Sequence, residues 1–290
     1  MSLQILNWDD NFQGSPLPES AVTIGVFDGV HLGHRELINR IVSKGPNPTV
    51  VTFRENPKKM LSHRPYGGDI YSLKQKLNIF EGLGVSKVIL IDFSENFSKL
   101  NGREFFKRLE DRIKVVFLAV GSNFRCGYRQ DTGVDYIREL YERRGIPTEV
   151  LSPVDIPNSP GAEPVNSSRI RAAILRGDIK QAAVLMGRNA ELDLSDLESA
   201  DSPSVETEPV SCKPMHPKQA DDVSVMERHG IFFDLRSRNR IIPKAGQYQV
   251  IVHPGGEAGM VIINGGKVYL YRDGLNGRGA ISKIDSVEFI

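Results

Sequence analysis

The period of the hydrophobic pattern changes along this chain, and that change constrains the fold more than any other feature. From residue 22 to about residue 154, short β-rich runs alternate with stretches of helical period, the pattern of parallel strands joined by crossover helices. Strands are expected over 22–27, 49–53, 87–93, 115–121 and 148–154. Between them, Asn101 can cap a helix with Glu104 three positions on, and Phe105, Phe106, Leu109 and Ile113 form its buried stripe. Leu73, Leu77 and Phe80 do the same for the preceding helix, which Gly84 should end. Two short helices, SSRIRAAILRG and DIKQAAVLMG, follow residue 166, each closed by a glycine. This part reads as an α/β domain with a doubly wound parallel sheet.

Beyond it the pattern switches. ELDLSDLESADSPSVETE holds seven acidic residues (Glu191, Asp193, Asp196, Glu198, Asp201, Glu206, Glu208) and no basic one, which fits a solvated linker. After it GIFFDL, GQYQVIVH, GMVIINGG, KVYLYRD and KIDSVEFI are short, alternating and turn-bounded, as in a small antiparallel barrel or sandwich. The expected division is 1–189 for the α/β domain, 190–229 for the linker and 230–290 for a small all-β domain. Two domains suit 290 residues.

Composition limits the partners. Hydrophobic residues at 40% and charged residues at 25% are those of a soluble globular chain. Lys+Arg 37 against Asp+Glu 36 gives a net charge of +1, so there is no global attraction to nucleic acid or to an anionic membrane. Phosphate binding, if present, must be local. The opening MSLQILNWDDNFQGSP lacks a basic start followed by a long apolar run, which implies a cytoplasmic chain. Cys126 and Cys212 are too far apart for a metal knuckle or redox pair and read as reduced thiols. The Asn-x-Ser matches at Asn96 and Asn166 carry no weight without secretion.

The chemistry concentrates in TIGVFDGVHLGHRELINRIV. An apolar strand ending at Phe27 runs through Asp28-Gly29 into His31-Leu32-Gly33-His34 and then a helix whose Leu37, Ile38, Ile41 and Val42 face the sheet. A strand-to-helix turn in an open α/β sheet lies at the carboxyl edge, where ligands bind, and a helix start offers free N–H groups and a positive dipole end. Phosphate is the natural guest. Gly33 lets it approach the backbone, and two imidazoles three positions apart can converge on one phosphorus. His-x-x-His could be half of a metal site, but no cysteine or third histidine at suitable spacing completes one. Neither a Gly-x-x-x-x-Gly-Lys-[Ser/Thr] loop nor Gly-x-Gly-x-x-Gly is present, against a P-loop kinase or a dinucleotide-dependent dehydrogenase. Ser167 and Ser168 at a helix start, with Arg171 one turn later, place donors and a fork-shaped charge around an anion. A plain cap with a solvated arginine fits the same residues.

Asp28-Gly29-Val30-His31-Leu32-Gly33-His34 resembles the signature of the nucleotidylyltransferase superfamily. With Gly25-Val26-Phe27 before it, the stretch is similar to the bacterial riboflavin kinase/FMN adenylyltransferase family. Three further segments resemble that family: Thr52-Phe53 with Pro57, where Asn56 stands for an expected histidine and Glu55 for an expected proline; Gly121-Ser122-Asn123-Phe124-Arg125-Cys126-Gly127, with Cys126 replacing an aromatic; and Val165-Asn166-Ser167-Ser168-Arg169-Ile170-Arg171, with Ser168 for a threonine. The resemblance covers roughly residues 20–187. In the C-terminal part Ile242-Pro243-Lys244-Ala245-Gly246-Gln247-Tyr248 resembles the kinase module's Pro-x-x-Gly-x-Tyr turn. The module's Gly-Phe-Pro-Thr-Ala-Asn string is missing, and KVYLYRD lacks its catalytic glutamate.

The resemblance implies an FMN adenylyltransferase with a degenerate kinase module: ATP and FMN as substrates, Mg²⁺ carried mostly by phosphate oxygens, and no riboflavin phosphorylation. It implies that His31 and His34 hold the α-phosphate and that Ser167, Ser168 and Arg171 retain the β- and γ-phosphates. Gly29 and Gly33 would let the nucleotide lie against the backbone, with Gly25 and Phe27 beside it. Asn56, Asn123, Phe124 and Arg125 would contact flavin or phosphate, although a plain turn with a buried Phe124 is the rival. Asp28 is equally a ligand group or a turn residue. Transfer to another phosphorylated acceptor, or nucleotide and flavin binding without turnover, are the alternatives.

Overall fold

The computed structural model describes residues 2–9, 16–61, 66–156, 163–197, 200–201, 231–236, 239–272 and 284–290. In chain order the strands are β1 (Gln4–Asn7), β2 (Leu17–Ile24), β3 (Thr49–Phe53), β4 (Lys87–Ile91), β5 (Ile113–Gly121), β6 (Arg125–Cys126), β7 (Thr132–Gly133), β8 (Thr148–Leu151), β9 (Glu191–Asp193), β10 (Ala200–Asp201), β11 (Ile231–Asp234), β12 (Gly246–His253), β13 (Glu257–Asn264), β14 (Lys267–Arg272) and β15 (Ser286–Phe289). The helices are α1 (Leu32–Lys44), α2 (Lys58–Leu61), α3 (Leu73–Gly82), α4 (Glu95–Ser98), α5 (Gly102–Arg112), α6 (Val134–Glu142), α7 (Ser167–Arg176) and α8 (Ile179–Met186).

Six strands form one sheet in the order β1-β4-β3-β2-β5-β8, every pair parallel. All of β4 and the last five residues of β2 are buried, as expected of strands covered on both faces. One face carries Phe105, Phe106 and Leu109 of α5 with Ile137 and Tyr141 of α6. The other carries Leu37, Ile38 and Ile41 of α1 with Phe80 of α3. Local chemistry sets the ends. Asn101 accepts from the Glu104 amide as anticipated, and Ser72 makes a reciprocal capping box with Gln75. Gly177 and Gly187 close α7 and α8 with left-handed φ of 79° and 70°.

Strand order reverses between β2 and β5. From β2 the chain moves outward through β3 and β4, with the N-terminal β1 beyond β4, whereas β5 and β8 extend the other edge. The carboxyl ends of β2 and β5 therefore flank a topological switch point, where open α/β sheets bind ligands.

The second sheet runs β10-β11-β14-β13-β12-β15-β9, with every pair antiparallel. Its inward residues, among them Phe233, Val250, Val261, Leu270 and Phe289, share one core with Ile170, Ala173 and Ile174 of α7 and with Leu185 of α8.

Two expectations change. The strand expected to end at Phe27 ends at Ile24, because Phe27 takes a positive φ of 53° that no strand allows. The acidic run does not begin as a solvated linker: Glu191–Asp193 pairs with β15, and Leu192 and Leu194 are buried in the second core. Its charges are met by residues distant in sequence. Glu191 accepts from the Ser286 hydroxyl, and Asp193 accepts from the Ser72 hydroxyl at 2.5 Å. Residues 198–199 and 202–208 of that run lie outside the described residues. The sequence raised no individual expectation for several elements, among them β1 at the sheet edge, α2, α4, α6, β6 and β7.

Leu194→Ala should therefore cost about 2–5 kcal/mol, the usual range for emptying a buried leucine site. Urea unfolding of the full chain measures it, and a midpoint equal to that of the parent would return this stretch to a solvated tether.

Candidate active site

The turn after β2 is strained. Phe27, Gly29 and Val30 have φ of 53°, 77° and 36°, and a positive φ is uncommon for any side chain and most costly for a β-branched one. Three contacts hold it. The Phe27 ring is fully buried and meets Phe80 edge-on at 5.7 Å. The Val30 amide donates to the Phe27 carbonyl at 3.2 Å. Arg188, just beyond α8, donates to the Gly29 and Val30 carbonyls at 2.6 and 2.9 Å while its guanidinium lies 5.0 Å over the Tyr71 ring.

This turn delivers two histidines to the start of α1. His31 is the residue preceding the helix, and His34 sits in its first turn. Their rings stack with centroids 3.6 Å apart and planes 20° from parallel, and Phe27 meets His34 edge-on at 5.1 Å. Burial, then the charge of Arg188, pushes His31 down to about 4 from its ordinary 6.5. Burial also takes His34 well below that value, helped by His31, Lys76 and Arg188. Both rings are neutral at pH 7. The buried Nδ1 atoms of both have no hydrogen-bond partner among the described residues, so the pair retains polar capacity beside a helix N-terminus.

Asp28 points the other way, into protein. Its carboxylate pairs with the Arg171 guanidinium and accepts from the Ile70 amide at 2.9 Å and the Asn56 amide at 3.5 Å. Burial raises its pKa, while Arg171 and the Ile70 amide pull it back. Arg171 also donates through Nε to the Gly68 carbonyl at 3.1 Å and lies 5.9 Å from the Tyr66 ring centre. The Ser167 hydroxyl donates to the Asp28 carbonyl at 2.9 Å. Lys76 is buried behind the turn, its Nζ 3.4 Å from the Phe53 carbonyl, and burial lowers its pKa.

The cleft at the carboxyl ends of β2, β5 and β8 holds about 250 Å³ and is lined by Gly25, Phe27, His31, Gly33, His34, Asn123 and Phe124 among others. A Cβ on Gly33 would stand 3.4 Å from the His31 ring, so glycine keeps that imidazole uncovered. Phe124 lines the cleft and also packs against the core, so the two readings of it are compatible.

Seven expected site residues lie outside the cleft lining, and three of them are Asp28 with its partners Ser167 and Arg171; the other four are Gly29, Asn56, Arg125 and Ser168. Gly29 is roofed by Ile70, 3.1 Å from an added Cβ, and serves the turn rather than a ligand. Asn56 is a partner of Asp28 outside the cleft lining. Arg125 is exposed on β6, where it pairs with Gly133 across the strands. Ser168 is exposed in the first turn of α7, whose cap is Asn166 rather than a serine. Arg188, Lys76 and the 68–70 backbone were not anticipated. Arg188 follows a helix-closing glycine, a place where an arginine reads as a solvated charge, and backbone donors leave no side-chain signal.

Among the described residues no group of three or more His, Cys, Asp or Glu could hold a metal ion, and no helix is long and apolar enough to cross a membrane.

A parallel sheet with a histidine pair at its switch point defines the class: this is a nucleotidylyltransferase-type α/β fold. Residues 15–168 match the FAD synthetase family, and the chain belongs to it. A bifunctional riboflavin kinase/FMN adenylyltransferase from Bacillus subtilis is 29% identical over 177 residues, 59% of this chain and 54% of that protein. An FAD synthetase from Listeria monocytogenes is 27% identical over 172 residues, 58% of this chain and 68% of that protein. The matched region thus spans about half the length of several bifunctional relatives. A crystal structure titled as a macrolide-efflux protein from Streptococcus pneumoniae matches all of this chain and 89% of its own, with a TM-score of 0.75 at 19% identity. At that identity it shares the fold.

The depressed histidine pKa values make acid stability a test of this geometry. An unfolded imidazole binds its proton near 6.5 and folded His31 only near 4. Stability should therefore fall as pH drops from about 6.5 to about 4, where the unfolded chain binds more protons. The raised pKa of Asp28 opposes this at the acid end. His31→Gln should flatten the slope in denaturant titrations, and an unchanged slope would show that His31 titrates normally.

Proposed function

We propose that the protein is an FMN adenylyltransferase, converting ATP and FMN to FAD and pyrophosphate. The observation that carries the reading is the stacked, neutral His31–His34 pair at the start of α1, held at the switch point of a FAD synthetase family fold. An FMN phosphate oxygen attacks the α-phosphorus of ATP, the bond from that phosphorus to the bridging oxygen breaks, and pyrophosphate leaves with the electron pair. Such a displacement needs positioning and charge stabilisation, with no covalent intermediate on the protein. Mg²⁺ enters on the phosphate oxygens as part of the substrate Mg-ATP.

In this reading His31 and His34 hydrogen-bond the α-phosphate, and the incoming anion offsets the neighbouring positive charges of Lys76 and Arg188 that favour neutral rings. Arg171 stays pinned by Asp28 and Gly68 and offers its remaining guanidinium N–H groups to the departing pyrophosphate. Ser168, exposed beside it, supports the same role. Asn123 and Phe124 face the cleft from the end of β5 and suit the flavin side. The acceptor is a small molecule, the reaction is cytoplasmic, and neither nucleic acid nor membrane takes part.

Riboflavin phosphorylation is outside the proposed activity. The hydroxyl/amide string that would place metal and ATP is missing from the sequence. β14 offers no carboxylate, and Glu257 is exposed at the start of β13. Asp273 lies outside the described residues.

With ATP, Mg²⁺ and FMN the purified protein should release pyrophosphate and form FAD. His34→Ala should slow turnover by about 100-fold or more, the scale for losing one preorganised donor. Arg171→Lys should also impair turnover, since a point charge cannot reproduce the guanidinium fork. Wild-type turnover in His34→Ala would remove the histidine role, and pyrophosphate release with a different phosphorylated acceptor but not FMN would reassign the substrate. Riboflavin with Mg-ATP should remain unconverted under conditions in which FMN is fully adenylylated.

A further inference from the structure

Residues 68–72 form a strap with two working sides. Toward the site, the Gly68 carbonyl accepts from Arg171 Nε at 3.1 Å and the Ile70 amide donates to Asp28 at 2.9 Å. Toward the second sheet, the residue between them does the bonding: the Asp69 amide donates to the Asn239 carbonyl at 2.7 Å, and the Asp69 carbonyl accepts from the Ile241 amide at 2.9 Å. This alternation is what an extended backbone imposes, since successive peptide groups face opposite sides. The strap is an extra strand segment shared by two bodies, its Asp69 bridged in parallel to Arg240.

The contact is close. Gly68 has φ of +94°, and an added Cβ would fall 2.6 Å from the Arg240 carbonyl carbon. Arg240 itself is largely buried, its side chain 11% exposed. It donates to the Asp193 carbonyl, pairs with Asp196 at 2.7 Å and lies 3.6 Å from the Asp193 carboxylate. Asp193 in turn accepts from Ser72, the far end of the strap and the cap of α3. The backbone on either side of Arg240 therefore holds the strap at Asp69, and the Arg240 side chain, through Asp193 of β9, holds it at Ser72. The guanidinium fork suits this, because it can serve several acceptors at once in a fixed plane.

We propose that the second sheet takes part in adenylyl transfer through the connection between β11 and β12, which forms the outer wall of the 68–72 strap, with Arg240 as the positioning residue that sets the Asp28–Arg171 pair. Arg240 touches no substrate. It acts through the strap, whose Gly68 carbonyl holds Arg171 and whose Ile70 amide holds Asp28. The inference rests on the adenylyl-transfer reading and gives the second sheet a task in that reaction whether or not it has one of its own. Because Arg171 is assigned to pyrophosphate and Asn123 and Phe124 to flavin, loss of Arg240 should weaken ATP and leave FMN alone.

The test uses the full chain with Arg240→Ala, Arg240→Lys, Asp196→Asn and, as a control on the same sheet, Arg236→Ala, whose exposed partner is Asp234. FAD synthesis is measured while Mg-ATP and FMN are varied separately, Mg-ATP binding is measured by calorimetry, and thermal unfolding is recorded. Arg240→Ala should raise both KM and Kd for Mg-ATP by about threefold to thirtyfold, the span of couplings carried through packed networks, with KM for FMN unchanged. Arg240→Lys should recover most of the loss, Asp196→Asn should show a smaller shift in the same direction without endangering folding, and Arg236→Ala should match the parent. Parental ATP parameters in Arg240→Ala and Asp196→Asn, or equal losses for ATP and FMN, would overturn the proposal. If the parent makes no FAD, the functional reading fails separately, and the Mg-ATP Kd of the variants against the parent still decides the strap. A parent that binds no Mg-ATP would overturn both.

Discussion

The Asp28–Arg171 pair is the interaction around which the site is assembled. Both side chains are nearly withdrawn from water, at 6% and 14% exposure, and a buried ion pair is tolerable only when its remaining valences are met. Here they are met from two places in the chain: the Asn56 side chain donates to the carboxylate, and the 68–72 strap gives it the Ile70 amide and offers the Gly68 carbonyl to Arg171. Removing one partner of such a pair typically costs about 3–5 kcal/mol because the other is left charged and unpaired. The pair therefore contributes orientation more than stability. It forces the strap against α7 and fixes the direction of a guanidinium that would otherwise sample many rotamers.

The strained turn follows from the same arrangement. Asp28 is pulled inward, so the chain on either side of it must double back, which places positive φ at Phe27, Gly29 and Val30. Arg188 answers the two carbonyls that this turn exposes. In doing so it brings a fixed positive charge behind the histidines, with Lys76 as a second. A chain whose net charge is only +1 thus concentrates positive potential at one edge of one sheet. That local field, rather than overall charge, is what an incoming polyphosphate meets.

Much of this was legible in the sequence because it is local. The parallel-sheet pattern, the Asn101 cap, the closing glycines of α7 and α8 and the placement of His31 and His34 all depend on residues within one or two turns of each other. Among the cleft-lining positions, Gly33 followed from the helix start and Asn123 and Phe124 from a strand end, while Gly25 and Phe27 came with the family resemblance. What escaped was non-local. Glu191 and Asp193 read as linker charges because their partners, Ser286 and Ser72, lie far away in the chain. Arg188 drew no expectation for the same reason. Gly29 and Asn56 were read as ligand contacts from their motif, whereas packing turns them toward Ile70 and Asp28.

The helix α7 shows why the second sheet cannot be treated as a passenger. Ser167 and Arg171, one turn apart, share the face that meets Asp28. Ile170, Ala173 and Ile174 form the adjoining apolar stripe, and their core neighbours are α8 and the antiparallel strands rather than the parallel sheet. An amphipathic helix of ten residues holds its position through its apolar face. The angle at which Arg171 is presented is thus set by packing against the C-terminal strands, just as its reach is set by the strap that the same strands bound from outside. A chain could lose every residue needed for a second reaction on that sheet and still require the sheet's apolar surface. The constraint that remains falls on Phe233, Val250, Leu270 and Phe289, which fill the shared core, and on the 239–241 backbone that bounds the strap.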